Sequence, residues 1–322
     1  MKKKDLSKNN FKKSSKKDLN FINKNIAKKS SKKDMNKLDK VNKDLKKKFN
    51  ENNDKKGKSL KKADVTYLKT GISGFDSLFD KGKGIPSGAS VLVEGGPGSG
   101  KTIFCLTTLA NLCKKGKRGL YMSFEEPESE LIHHMEDFGW PARDYIKKGL
   151  LRIKRFDAID VSRSIEALLS AAKKELLIDV DPVFFPEDFK PDFIVIDSLT
   201  SIASAFSGEE SRFRIYMEQL FRYLEKNNIT NFLIREVSAP SHIGSTYKEQ
   251  GEAVSFLSDG IIIIYNVAYD SGKRESAMEL LKMRGVGFKK RLVKFEIRSK
   301  GGFKVYNNKV LKRSKKDNFQ LT

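Results

Sequence analysis

Eight consecutive residues, Gly95-Gly96-Pro97-Gly98-Ser99-Gly100-Lys101-Thr102, match the spacing G-x-x-x-x-G-K-[ST]. Glycines in such a run let the backbone turn tightly enough for successive N–H groups to face the β- and γ-phosphates of a nucleotide. The positive end of a following helix adds its field. Lys101 would then reach the β/γ oxygens, and the Thr102 hydroxyl would hold Mg²⁺. A glycine turn beside a stray lysine is the competing reading. It loses ground because the apolar run Ala89 to Val93 precedes the motif and the helical pattern Thr102 to Cys113 follows it.

A phosphate cradle alone does not make a hydrolase; a metal-side carboxylate and a base for water are also needed. The run Phe193-Ile194-Val195-Ile196-Asp197 ends in an Asp where a buried strand would emerge beside the cradle, which suits a carboxylate that holds Mg²⁺ through water. Glu125 and Glu126 end another strand-like run, Gly119 to Phe124. Adjacent strand residues point to opposite faces, so one of the two is expected to address the nucleotide; an acidic turn before Pro127 is the alternative. Lys282 and Arg284 alternate about Met283 near the end of a strand, and a period of two puts both cations on one face. They suit either a phosphate, including one bound by a neighbouring subunit, or a basic stripe facing solvent. Glu236, after the run Phe232 to Ile234, is a further candidate to sense phosphate, or a salt-bridge partner near Arg235.

The elements that must position these residues alternate from Tyr67 onward. Strands are expected at Ser90 to Glu94, Gly119 to Phe124, Leu150 to Arg155, Phe193 to Asp197 and Asn231 to Glu236, with helices at Thr102 to Lys115, Glu128 to Phe138, Val161 to Leu177 and Glu209 to Asn227. After residue 255 the pattern turns to strands without helices, at Gly260 to Asn266, Met278 to Met283 and Leu292 to Ile297. The fold class is α/β: a mostly parallel sheet flanked by helices, ending in antiparallel strands. Ile178 to Pro191 reads as a loop, and so does the polar stretch Ser238 to Gly251, as a surface loop or one lining a pore.

Charge divides the chain. Residues 1–62 hold 24 Lys and 7 acidic residues, so they carry 17 of the 23 net positive charges. Their few apolar residues cannot offset chain entropy, and the segment is expected to be a disordered basic tail. It is either a solubilising tail or an arm that binds nucleic acid or another polyanion by counterion release. The folded body is expected over 63–307, with a short basic tail over 308–322. Cys105 and Cys113, both within one helical stretch, read as buried apolar side chains in a reducing compartment, and His133, His134 and His242 have no zinc-site spacing. The basic N-terminus lacks the apolar core of a signal peptide, and the run Ile261 to Ile264 is far short of the ~20 residues that cross a bilayer, so a cytoplasmic protein without a membrane segment is expected.

A set of motifs in order completes the reading: Thr70-Gly71-Ile72-Ser73-Gly74-Phe75-Asp76, Gly84-Ile85-Pro86-Ser87-Gly88, the cradle, Ser123-Phe124-Glu125-Glu126-Pro127, Phe138-Gly139-Trp140, Asp197-Ser198, Ser258-Asp259-Gly260 and Lys282-Met283-Arg284-Gly285. Over about residues 65 to 307 the chain resembles the KaiC domain, a branch of the RecA-like P-loop ATPases. The resemblance implies ATP and Mg²⁺ as cofactors, Glu125 and Glu126 as activators of water, and a hexameric ring in which Lys282 and Arg284 touch the γ-phosphate of the adjacent protomer. The chain departs from the family pattern at Gly82-Lys83-Gly84-Ile85, and at Phe288, where many relatives carry His. The clock-type phosphorylated Ser-Thr pair is replaced by Ser255-Phe256, which argues against a clock phosphorylation cycle. The expected function is a ring-forming ATPase switch in signalling or regulation. A RadA-type recombinase paralogue acting on DNA and an ATP-gated scaffold with negligible turnover are the alternatives.

Overall fold

Runs of Val, Ile and Leu that are apolar on both faces belong inside a helix-covered sheet, and here they form its centre. A computed structural model of the chain describes residues 66–157, 188–206, 210–237, 252–311 and 318–321. The strands are β1 (Tyr67–Leu68), β2 (Ile85–Pro86), β3 (Ser90–Gly95), β4 (Gly119–Ser123), β5 (Leu151–Arg155), β6 (Phe193–Asp197), β7 (Thr230–Glu236), β8 (Gly260–Tyr269), β9 (Arg274–Met283), β10 (Val293–Arg298), β11 (Gly302–Val310) and β12 (Phe319–Leu321). The helices are α1 (Lys101–Lys114), α2 (Glu128–Asp137), α3 (Ala142–Lys147), α4 (Leu199–Ala205), α5 (Glu210–Lys226) and α6 (Glu252–Leu257). β1 and β2 pair with each other; the other ten strands form one sheet in the order β11-β10-β9-β8-β3-β7-β6-β4-β5, with β12 added to β8.

From β8 to β5 the strands are parallel, and β9, β10 and β11 continue the sheet antiparallel. The α/β class and the antiparallel end are as the sequence pattern implies. Alternation along each central strand feeds two cores. Val91, Val93, Val195 and Phe232 face the layer of α1, α2 and α3, where Phe104, Leu109 and Leu131 are buried. Leu92, Leu120, Ile194 and Leu233 face α4 and α5, with Met217, Leu220 and Leu224 spaced as one helical face. β11 continues to Val310, and β12 pairs with Val267–Tyr269, both inside the stretch 308–322 set aside as a tail. The expected helix at 161–177, most of the loop at 178–191, the loop at 238–251 and the segment 1–62 lie outside the described residues. No helix among the described residues is long and apolar enough to cross a membrane.

Candidate functional site

β3 ends at Gly95, where a Cβ would stand 2.3 Å from the backbone oxygen of Ile264, so only glycine lets β8 pass this closely. The chain then turns through Gly98 and Gly100, at φ 70° and 101°, in the left-handed region where glycine carries no Cβ penalty. Gly100 is the last residue before α1. The turn delivers Lys101 and Thr102 to the first turn of that helix. Lys101 is buried, and its Nζ donates to the Gly96 carbonyl at 2.9 Å and to Glu236 Oε1 at 3.4 Å. Arg235 is occupied elsewhere, by Glu94 at 2.6 Å.

The strand order brings the carboxylates to the same edge. β6 lies between β4 and β7, and β7 neighbours β3, so Asp197 at the end of β6 emerges beside the glycine loop. Its Oδ2 accepts hydrogen bonds from Thr102 Oγ1 at 3.2 Å and from the Tyr121 hydroxyl. Burial raises the Asp197 carboxyl to about 6, the nearby charges of Glu125 and Glu126 push the same way, and the Tyr121 and Thr102 hydrogen bonds oppose them. β4 ends at Ser123, one residue before the expected end, and the two glutamates that follow diverge. Glu125 Oε1 accepts from Ser198 Oγ at 2.5 Å and Ser201 Oγ at 2.9 Å. Glu126 instead turns to α2, where its Oε2 lies 3.3 Å from His134 Nδ1. Tyr121 and Ser201 were not singled out from the sequence, Ser198 entered only as part of the Asp197-Ser198 motif, and His134 only as a histidine without zinc-site spacing. Tyr121 carried a signal, since it has the same parity as Ser123 on the strand that ends in the glutamates.

The donor set suits a hard cation bound together with phosphate. Thr102 and Asp197 offer only oxygen, and among the described residues no group of three or more His, Cys, Asp or Glu is arranged to hold a metal on its own. Such a cation would take its remaining ligands from phosphate and water, as Mg²⁺ does. Inside the loop, Ser99 Oγ is buried without a hydrogen-bond partner, which suits a loop that closes around an anion.

Lys282 and Arg284 do not join this cluster. Met283 pairs with Gly260, and Gly260 is adjacent to Val91 at the start of β3, so both cations sit at the sheet edge opposite the glycine loop. Four residue steps of β3, from Val91 to Gly95, separate those edges, about 13 Å at the usual strand rise. The strand stops at Met283, so Arg284 lies just beyond it, and a bulge sits opposite Ile261 and Ile262, yet the two side chains still converge. Lys282 Nζ donates to the carbonyls of Ser255 (2.9 Å) and Ser258 (2.5 Å), and Arg284 to those of Phe256 (2.9 Å) and Leu257 (3.3 Å). The cations therefore cap the negative end of α6. Burial, and then the charge of Arg284, pull the Lys282 ammonium below its usual range.

Cys105 and Cys113 are buried free thiols on α1, and burial pushes Cys113 up to about 12.

Comparison with known proteins places this geometry. A UPF0273 protein of Pyrococcus horikoshii is 30% identical over 266 residues, covering 77% of this chain and 97% of that protein. The circadian clock protein KaiC3 of Synechocystis is 29% identical over 245 residues, 74% of this chain but 45% of the clock protein. A crystal structure of a KaiC-like protein from Pyrococcus horikoshii superposes with a TM-score of 0.58 at 27% identity, covering 75% of this chain and 99% of that one. The family model described as "ATPase: KaiC" matches residues 68–310, from β1 to the end of β11 and so across the loop, both carboxylate strands and the Lys282–Arg284 edge. With that span matched, the chain belongs to the KaiC family of P-loop ATPases.

Proposed function

We propose that the protein is a Mg²⁺-dependent ATPase whose sites are completed by a second copy of the chain, assembled as a ring, with turnover driving a conformational or assembly switch in signalling or regulation. The observation that carries the reading is the Thr102–Asp197 hydrogen bond beneath the glycine loop, with the Glu125 carboxylate beside it. Loop N–H groups and Lys101 would bind the phosphates, with Lys101 exchanging the Gly96 carbonyl and Glu236 for phosphate oxygens. Thr102, and Asp197 through water, would hold Mg²⁺, which when bound spreads the charge of the phosphate oxygens.

For the proton of the attacking water, Glu125 is the better-supported acceptor of the two glutamates. Two serine hydroxyls fix its carboxylate next to Asp197, whereas Glu126 is turned to His134. Lys282 and Arg284 are about a strand length from their own loop, which supports a role at the loop of a neighbour.

The test is complementation. Lys101→Ala removes the phosphate ligand and Arg284→Ala the trans cation, so each protein alone should be inactive. In a 1:1 mixture an interface is intact only when both contributing subunits carry the needed residue, so about a quarter of wild-type turnover should return. Measured mass with ATP and Mg²⁺ should show a closed ring. Wild-type turnover by Arg284→Ala, or a mixture that stays inactive although the subunits exchange, would sink the shared site.

A further inference from the structure

Positive charge in the body is unevenly placed. Residues 289–316 hold twelve Lys and Arg against one carboxylate, Glu296, while residues 63–322 as a whole net only +6, so the rest of the body is net negative. The hairpin β10–β11, at the end of the sheet, carries five of these cations and the carboxylate, a net of +4.

The pairing of the hairpin sorts its side chains. Phe295 with Val305 and Ile297 with Phe303 occupy one face; Lys294 with Tyr306 and Glu296 with Lys304 occupy the other, which Arg298 shares. On that outer face Glu296 is already engaged, accepting from the Tyr306 hydroxyl at 2.5 Å with Arg298 3.8 Å away. Lys294 is engaged by Glu275 at 2.8 Å. The Lys304 and Lys309 ammonium groups lie 5.2 and 4.5 Å from the Tyr306 ring centroid, and no carboxylate among the described residues forms an ion pair with Lys300, Lys304 or Lys309. A surface built only for solubility would intersperse the two signs. Here Arg298, Lys304 and Lys309 are gathered about one aromatic ring, with Glu296, among the described residues, as the one carboxylate bonded to it.

The inner face of the same hairpin rests on the nucleotide loop. Ile297 Cδ1 is 2.8 Å from where a Cβ on Gly100 would stand, and the Phe303 N–H donates to Thr107 Oγ1 of α1 at 3.2 Å.

We propose that the outer face of β10–β11 and the turn at its tip bind single-stranded nucleic acid through its phosphate backbone, with Lys304 and Lys309 beside Tyr306, and Lys300 on the turn between the strands, as the principal contacts. Cations carried on extended strands, with an aromatic ring among them, match a groove that tracks a backbone without reading bases. Lysine suits such contacts because it meets phosphate as a point charge. An anionic membrane is the less fitting partner, because the exposed aliphatic side chains of the hairpin, Ile297 and Val310, pair with Phe303 and Val293 on its other face, away from these cations. The proposal concerns a surface separate from the ATP site and stands whether or not the chain turns over ATP.

The experiment uses the full chain, so that the basic segment 1–62 contributes equally throughout, and a fluorescent oligothymidylate titrated at several salt concentrations. K300Q/K304Q/K309Q should weaken binding and flatten the salt dependence by about two units of log–log slope, from three lost phosphate contacts at ~0.7 each. K114Q/K115Q/K148Q removes the same charge from exposed positions elsewhere and should bind nearly as wild type does. K300Q/K309Q repeats the test at exposed positions only, sparing the half-buried Lys304. Equal behaviour of the hairpin and control triples, or no binding by wild type, overturns the proposal. So does wild-type binding to phosphatidylserine vesicles but not to the oligonucleotide.

Discussion

Lowering the pH should act on Asp197 in two opposite ways, and both follow from its burial. With its carboxyl raised to about 6, the group is about 97% ionised at pH 7.5 and about 9% at pH 5. If the ionised form is the one that holds Mg²⁺, Mg²⁺-dependent affinity for a non-hydrolysable ATP analogue should fall about tenfold over that interval. Calorimetric titration with and without Mg²⁺ reads this directly. Ionisation of the phosphates is common to all variants and cancels in comparison. Asp197→Asn should bind more weakly and lose the Asp197 part of the pH dependence, and Tyr121→Phe, which removes a hydrogen bond that lowers the carboxyl, should move the midpoint to higher pH. Stability of the ligand-free protein has the reverse sign. A carboxyl raised above its unfolded value of 3.8 contributes stability that is fully present below that value and is lost as pH rises through about 6, on the order of 3 kcal/mol. Denaturant titrations at pH 4.5 and 7 should show about 2 kcal/mol of that gain toward acid in wild type relative to Asp197→Asn, since pH 4.5 is still above the unfolded value. An Asp197→Asn protein that keeps the full wild-type pH dependence in both assays would refute the reasoning.

Glu125→Gln should bind ATP and release phosphate at least 100-fold more slowly, the scale of a lost general base, whereas Glu126→Gln should lose less; equal losses in a phosphate-release assay would remove the distinction drawn from Ser198, Ser201 and His134. Gly95→Ala should destabilise by about 1–3 kcal/mol in a denaturant titration, because the new Cβ meets the Ile264 carbonyl, which belongs to backbone and cannot swing away. Gly98→Ala has open space around its Cβ and should show only the cost of its positive φ, about 1 kcal/mol. Arg284→Ala should raise amide hydrogen exchange at residues 254–258, since it removes two of the hydrogen bonds that cap α6.

Legibility in the sequence followed the range of the interactions involved. The glycine loop is local, eight residues between a strand and a helix, and its positive φ angles belong to its own glycines. The central strands were equally legible, because a parallel strand buried on both faces has to be a run of apolar residues, as in Phe193 to Ile196. Short elements escaped: α3, α4 and α6 have six or seven residues, too few to show a helical period, and β12 has three. β11 alternates over Phe303, Lys304, Val305 and Tyr306, but the polar Asn307, Asn308 and Lys309 that follow hid its length.

From the sequence came a phosphate-binding loop with Lys101 and Thr102, carboxylates at strand ends and a cationic pair near the end of β9. Only the tertiary structure decided how they are shared out. Thr102 meets Asp197 across 95 residues, and Tyr121 meets it across 76, so the burial and hydrogen bonds that set this carboxyl exist only once β4, β6 and α1 are side by side. Strand direction decided the rest. β8 runs parallel to β3 and β9 antiparallel to both, which carries Lys282 and Arg284 back to the edge their own nucleotide loop does not occupy.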